Sequence, residues 1–254
     1  MMGDEELDGL IAASGARWSG LQVERTELAR ALAERTLGAD SRYALDIALM
    51  CGLARGDASA LRAFEAEIVP DVRGALARLD PSGHLVEDAL QQVRVKLLVA
   101  EGEPRIVEYR GRGALAAWVQ VIAIRETLML RRRTRNERPV SEDALLIAVE
   151  GNPALALTKQ AHRADLAASF QAALAALTPR ERTLLRLCFV EATGTEQLAE
   201  LYQVHRVTMF RWLSDARAHL LDGLRSELMA RVGVDANDVD SLITALASSL
   251  DVAW

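Results

Sequence analysis

Between Leu177 and Leu224 apolar residues recur at steps of three and four, with two short polar interruptions, and this rhythm predicts three successive helices. The first holds Leu184, Leu185, Leu187 and Cys188 behind Thr178 and Pro179, which suit an N-cap and a first helical position. Thr193-Gly194-Thr195 ends it, and Thr195 is placed to cap a short second helix with Leu198, Ala199 and Leu201. Tyr202-Gln203-Val204-His205 then leaves room only for a tight turn between two steeply crossing helices. From Arg206 onward Met209, Leu213, Ala216, Leu220 and Leu224 share one face, so Arg206, Thr208, Arg211, Trp212 and Asp215 lie on others. A recognition helix presents itself to a DNA groove in this way, with an ordinary helical hairpin as the plain alternative.

The same periodicity runs upstream. Residues to about Asp40, with Leu21, Leu28, Leu32 and Leu37 in rough register, read as an accessory helical segment. An amphipathic helix follows from Tyr43 to Arg55, and Gly56-Asp57 separates it from a helix holding Leu61, Phe64, Ile68, Val72 and Leu76. After the turn at Asp80-Pro81-Ser82-Gly83, Leu85, Ala89, Val93 and Leu97 point inward, leaving Glu87, Asp88, Gln91, Gln92 and Lys96 outside. Arg110-Gly111-Arg112-Gly113 reads as a mobile basic loop before a helix packed through Leu115, Trp118, Val119 and Ile122, with Trp118 in the core. Pro139, Gly151 and Pro153 mark a tether, and beyond Arg231 a Leu242, Leu246, Leu250 stripe needs a partner surface.

The expected fold class is all-α: two small helical domains, 43–138 and 165–231, joined by a linker at 139–164. The second is a helix-turn-helix, and an N-terminal segment (1–42) and a C-terminal tail (232–254) flank the pair. Composition agrees, since half the residues are hydrophobic, only 4% are aromatic, and strand-forming runs are missing.

Charge distribution changes the picture more than its sum. The chain is net −6, yet between Arg105 and Arg138 nine arginines stand against Glu108, Glu126 and Glu137, a local +6 that makes an electrostatic footprint for phosphates. Cys51 and Cys188 lack metal-ligand spacing and read as reduced thiols, and His84, His162, His205 and His219 are not arranged as ligands. Asp235 to Asp240 resembles a calcium loop superficially but has Asp240 where glycine is required. Without a Walker loop or HExxH motif, the expectation is no enzyme and no cofactor. An acidic N-terminus and no apolar run of about 18–20 residues point to the cytoplasm.

Taken together, these segments resemble a bacterial RNA polymerase sigma factor of the extracytoplasmic-function type, over roughly Asp57 to Glu227. VEDALQQVRVKLL is similar to the family's core-polymerase-binding helix, YRGRGALAAWVQVIA to the stretch that opens promoter DNA, and LTPRERTLLRLCFVEATGTEQLAELY with VHRVTMFRWLSDARAHL to its last helix-turn-helix. The chain departs from the family pattern at Arg125, Met129, Phe210 and Trp212, where Asn, Asp and two basic residues are usual.

The resemblance implies core polymerase and promoter DNA as partners. Glu87, Asp88, Gln91, Gln92 and Lys96 would bind core polymerase. Arg110, Gly111, Arg112, Gly113, Arg125, Arg131, Arg132, Arg133 and Arg135 would hold the minus-ten element. His205, Arg206, Thr208, Arg211 and Trp212 would read the minus-thirty-five element. Whether an anti-sigma factor is a further partner stays open at this point. Two rival readings also stand: an autonomous helix-turn-helix regulator, which leaves the upstream arginines unexplained, and a helical protein-binding adaptor, which would show no salt-sensitive DNA binding.

Overall fold

The computed structural model describes residues 4–38, 40–99, 104–134, 159–191 and 193–232, with Val239 and Ile243 placed singly. The fold is all-α: among the described residues every regular element is helical. The first unit begins with α1 (Asp4–Arg17), α2 (Arg25–Glu34) and α3 (Ala44–Ala54). The sequence of α3, ALDIALMCGLA, is apolar nearly all round, and such a helix must be covered on every side. Its residues from Ile47 to Leu53 are all buried. The N-terminal helices supply the cover, because α1 and α2 both pack on α3. Gly52 permits this approach: a Cβ there would sit 2.6 Å from Leu21 Cδ1. At the rim Trp18 Nε1 and Arg17 donate to the Glu67 carboxylate at 2.7 and 2.8 Å, and Arg55 pairs with Glu27. The accessory segment is therefore an integral layer of this unit, and α3 is its central helix instead of an amphipathic one at the surface.

Helix α4 (Ala58–Ala63) starts where the Asp57 carboxylate accepts the Ser59 and Ala60 N–H groups at 2.8 and 2.9 Å. It continues through a π-turn (Phe64–Ile68) into α5 (Val69–Leu79). Pro70 has no N–H to give to the α-helical ladder, and the wider turn absorbs the break. Helices α6 (Val86–Leu98) and α7 (Leu115–Thr134) pack on α5 and on each other. Trp118 is core, 7% exposed, with its ring edge-on to Tyr109 at 5.8 Å.

The second unit comprises α8 (Lys159–Ala176), α9 (Pro179–Leu185) with a π-turn at Arg186–Val190, α10 (Thr195–Leu201) and α11 (Arg206–Val232). Helix α11 runs along α8 and crosses α9 and α10, burying Met209, Leu213, Ala216, Leu220 and Leu224. Three details differ from the pattern. Helix α8 is already under way before residue 165, and α11 runs eight residues past Leu224 because Leu228 continues the buried stripe against α8. The N-cap of α10 is Gly194, with extended backbone (φ −67, ψ 155), and Thr195 is the first helical residue; the Gly194 N–H donates to Gln197 Oε1 at 3.4 Å. The two units touch where α7 meets the π-turn after α9. Most of the tether, and the Leu242, Leu246, Leu250 stripe and the Asp235–Asp240 stretch of the tail, fall outside the described residues; Val239 is buried.

Candidate nucleic-acid interface

Local chemistry locks the helix-turn-helix. At the start of α9 the Thr178 hydroxyl accepts the Glu181 N–H at 3.3 Å while the Thr178 N–H donates to the Glu181 carboxylate at 2.8 Å, a reciprocal capping box. The same carboxylate meets His219 Nδ1 of α11 at 2.5 Å, tying the first helix of the motif to the third. The Thr178 hydroxyl, and after it His219, hold the Glu181 carboxyl down at about 2. In the turn, Gln203 adopts a left-handed backbone (φ 54), and the Val204 N–H reaches back to the Ala199 carbonyl at 3.0 Å. His205 Nδ1 accepts the Val207 N–H at 3.3 Å, so His205 finishes the turn and opens the recognition helix.

Trp212 is half-buried and fixes the helix crossing. Its ring lies edge-on to Tyr202 (6.4 Å, 84°), and the Arg180 guanidinium covers it at 4.5 Å from the centroid. The outward face at the start of α11 consists instead of Val207, Phe210 and Arg211, with Leu201 of α10 also exposed. Val207 is 69% and Phe210 54% exposed. Arg206 is exposed and pairs with Glu196 at 3.3 Å, and Thr208 is half-buried. Reading only the polar residues missed Val207 and Phe210. Helical geometry counted from the Met209 and Leu213 face finds Val207, which lies roughly opposite it with Arg211, whereas Phe210 lies at its flank.

In the first unit the polar face of α6 divides. Glu87 is engaged by Arg73, and Lys96 pairs with the buried Glu126. Asp88, Gln91 and Gln92 are exposed, and so are the apolar Val95 farther along the helix and Val99 just past its end.

The loop before α7 is held in place, which corrects the expectation of a mobile segment. Arg110 and Arg112 are exposed while Gly111 and Gly113 are buried, so the two arginines project outward on either side of a glycine turned in. Gly111 has φ +65, open to glycine and costly for other residues. The Tyr109 hydroxyl donates to the Gly113 carbonyl at 2.5 Å, and the Leu115 N–H donates to the Asp46 carboxylate at 2.9 Å. Burial raises the Asp46 carboxyl, opposed by the hydrogen bonds from Leu115 and Tyr109.

Further along α7, Arg125 is half-buried and its guanidinium is lowered chiefly by burial; Arg131 is exposed. Arg132 and Arg133 fall in the last turn of α7, and Arg135 lies outside the described residues. Arg217 of α11 is pushed down to about 10, chiefly by burial, with the Arg112 charge adding to the effect. Burial pushes the Cys51 and Cys188 thiols up to about 12 and about 11, leaving both protonated at neutral pH and unreactive.

The crossing of α10 and α11, the tight turn and the outward face of α11 define the class: a helix-turn-helix DNA-binding unit. Residues 167–220 match the family model for sigma-70, region 4, so this unit is similar to a sigma-70 region 4 domain. No curated protein and no solved structure gives a significant match. No helix among the described residues is long and apolar enough to cross a membrane.

Proposed function

We propose that this protein is an RNA polymerase sigma factor of the extracytoplasmic-function type, which directs core polymerase to promoters. The observation that carries this reading is a sigma region 4 domain following, in one chain, a separate helical unit that presents a fixed basic loop and an arginine-ended helix. A lone DNA-binding regulator has no use for that second basic segment.

On this reading the first unit docks on polymerase through Asp88, Gln91 and Gln92, with Val95 and, just past α6, Val99 supplying apolar contact area. Glu87 and Lys96 shape that surface through Arg73 and Glu126. The Arg110–Gly113 loop holds an extruded base of the minus-ten element, and Arg131, Arg132, Arg133 and Arg135 grip the backbone of the opened strand. Extrusion costs a few kcal/mol, which phosphate contacts and a base pocket offset together. Arg125 borders these groups on α7.

The last unit reads the minus-thirty-five duplex. Arg211 addresses guanine edges or phosphates, and Arg206 and His205 flank it at the helix start. Val207 and Phe210 meet thymine methyl groups, the apolar feature of the major groove. Thr208 and Trp212 act through the packing that sets the helix angle. No covalent chemistry is required of the chain, and its setting is the cytoplasm. Run-off transcription with purified core polymerase and genomic fragments tests the reading: discrete transcripts that depend on this chain support it, and their absence contradicts it.

A further inference from the structure

We propose that helix α2 and the turn that follows it form a buttress that sets the promoter-opening loop, with Arg35 as its positioning residue. The inference rests on the sigma reading and assigns a role to a segment outside the family resemblance.

Arg35 follows α2, and its side chain is only 4% exposed although it bears a charge. A buried guanidinium must place its donors, and two of them go to the segment immediately before the loop. Its Nε donates to the Tyr109 carbonyl at 2.7 Å and one terminal nitrogen to the Val107 carbonyl at 2.5 Å, while the other returns to Ala31 of its own helix at 2.9 Å. Arg110 begins directly beyond Tyr109.

The next residues press on the loop itself. Thr36 takes a left-handed backbone (φ 57), unusual for a β-branched residue, and the chain reverses so that the Leu37 N–H bonds the Leu32 carbonyl at 3.0 Å. Leu37 is thereby laid against Gly111: a Cβ on that glycine would sit 2.5 Å from Leu37 Cδ1 and 3.1 Å from Ile47 Cδ1. With Asp46 of α3 holding Leu115, the loop is fixed at its entry by Arg35, at its middle by Leu37 and at its exit by Asp46. What emerges from this frame is the outward pair Arg110 and Arg112. A loop that must receive an extruded base gains from such preorganisation, because the ordering is done before DNA arrives.

The test uses the full chain. Limited trypsin digestion reads the loop through cleavage after Arg110 and Arg112. Losing charge-assisted hydrogen bonds in Arg35→Met is expected to raise nicking there about tenfold, with Arg35→Lys in between. In holoenzyme, permanganate reactivity of duplex promoter DNA is expected to appear about tenfold more slowly with Arg35→Met. On a template mismatched across the minus-ten element the variant stays within about twofold of the parent chain, because an unpaired base needs least help to leave the stack. Unchanged nicking, or equal losses on both templates, overturns the proposal. If Arg35→Met fails to fold, Leu37→Ala removes the contact beneath Gly111 from the buttress side, with the same expectations. A parent chain that starts transcription from neither template defeats the sigma reading, whereas the nicking result stands apart from it.

Discussion

The Arg180 guanidinium covers the Trp212 indole at 4.5 Å, with Tyr202 edge-on at the same ring, so one aromatic side chain joins all three helices of the helix-turn-helix. Trp212 thus governs how α11 is aimed. Trp212→Ala is expected to destabilise the protein by about 2–3 kcal/mol, below the range for a fully buried aromatic. Arg180→Ala, which removes only the cation over the ring, costs about 0.5–1 kcal/mol. Denaturant midpoints measured on both variants decide this. Equal, negligible shifts would leave Trp212 a surface reader.

Phe210 supports a readout of a different kind. Exposed beside Val207 and Arg211, it has the chemistry to meet a thymine methyl. Replacing a contacted thymine by deoxyuridine removes one methyl group and is expected to weaken holoenzyme binding about fourfold, the equivalent of about 0.8 kcal/mol. Phe210→Ala should abolish that difference. A thymine-to-deoxyuridine penalty that survives in Phe210→Ala places the methyl contact elsewhere.

The Thr178–Glu181 capping box makes a pH prediction. The Glu181 carboxyl is lowered from 4.5 to about 2 in the folded protein, so its contribution is complete above about 4.5 and is lost as the pH falls toward 2. Glu181→Gln is expected to cost about 1 kcal/mol at neutral pH. The deficit should shrink as the pH falls below 4.5. Urea titrations of both proteins across that window check it, and a deficit that grew with acidity would reverse the sign assigned here.

Arg131, Arg132 and Arg133 are expected to touch phosphates. Their joint replacement by alanine should weaken holoenzyme binding to all promoters alike and lower the slope of log affinity against log salt by about 0.7–0.9 per lost contact. A loss confined to one promoter sequence would make them base readers instead.

The helix-turn-helix was legible because its signals are local: apolar spacing along α11, a threonine and proline opening α9, and a four-residue turn. The π-turns were not, since a one-residue widening leaves the apolar rhythm nearly intact. Nor was the clamp on the loop. Arg35 and Tyr109 are 74 residues apart and meet through a side chain and a carbonyl, and hydrophobic patterning records no such contact. Gly111 and Gly113 suggested mobility on composition alone, whereas one of them is a close-approach site. Phe210 and Trp212 flank the buried Met209 and Leu213 face at similar angles, so helical position alone does not say which is covered; Arg180 and Tyr202 cover Trp212 and leave Phe210 exposed.

The most direct test of the account is promoter affinity measured by anisotropy at near-physiological salt, with and without core polymerase. Between Leu177 and Leu224 six arginines face six carboxylates, so the region 4 domain gains little from counterion release when it meets duplex DNA alone. The strongly basic segment lies in the other unit, and its ligand is an opened strand that duplex DNA does not offer. Polymerase supplies both the spacing of the two units and the opened strand. The account predicts weak, salt-sensitive binding by the free chain and tight, specific binding by the holoenzyme. Specific binding by the free chain at about 10 nM would contradict it and make the protein a self-sufficient regulator.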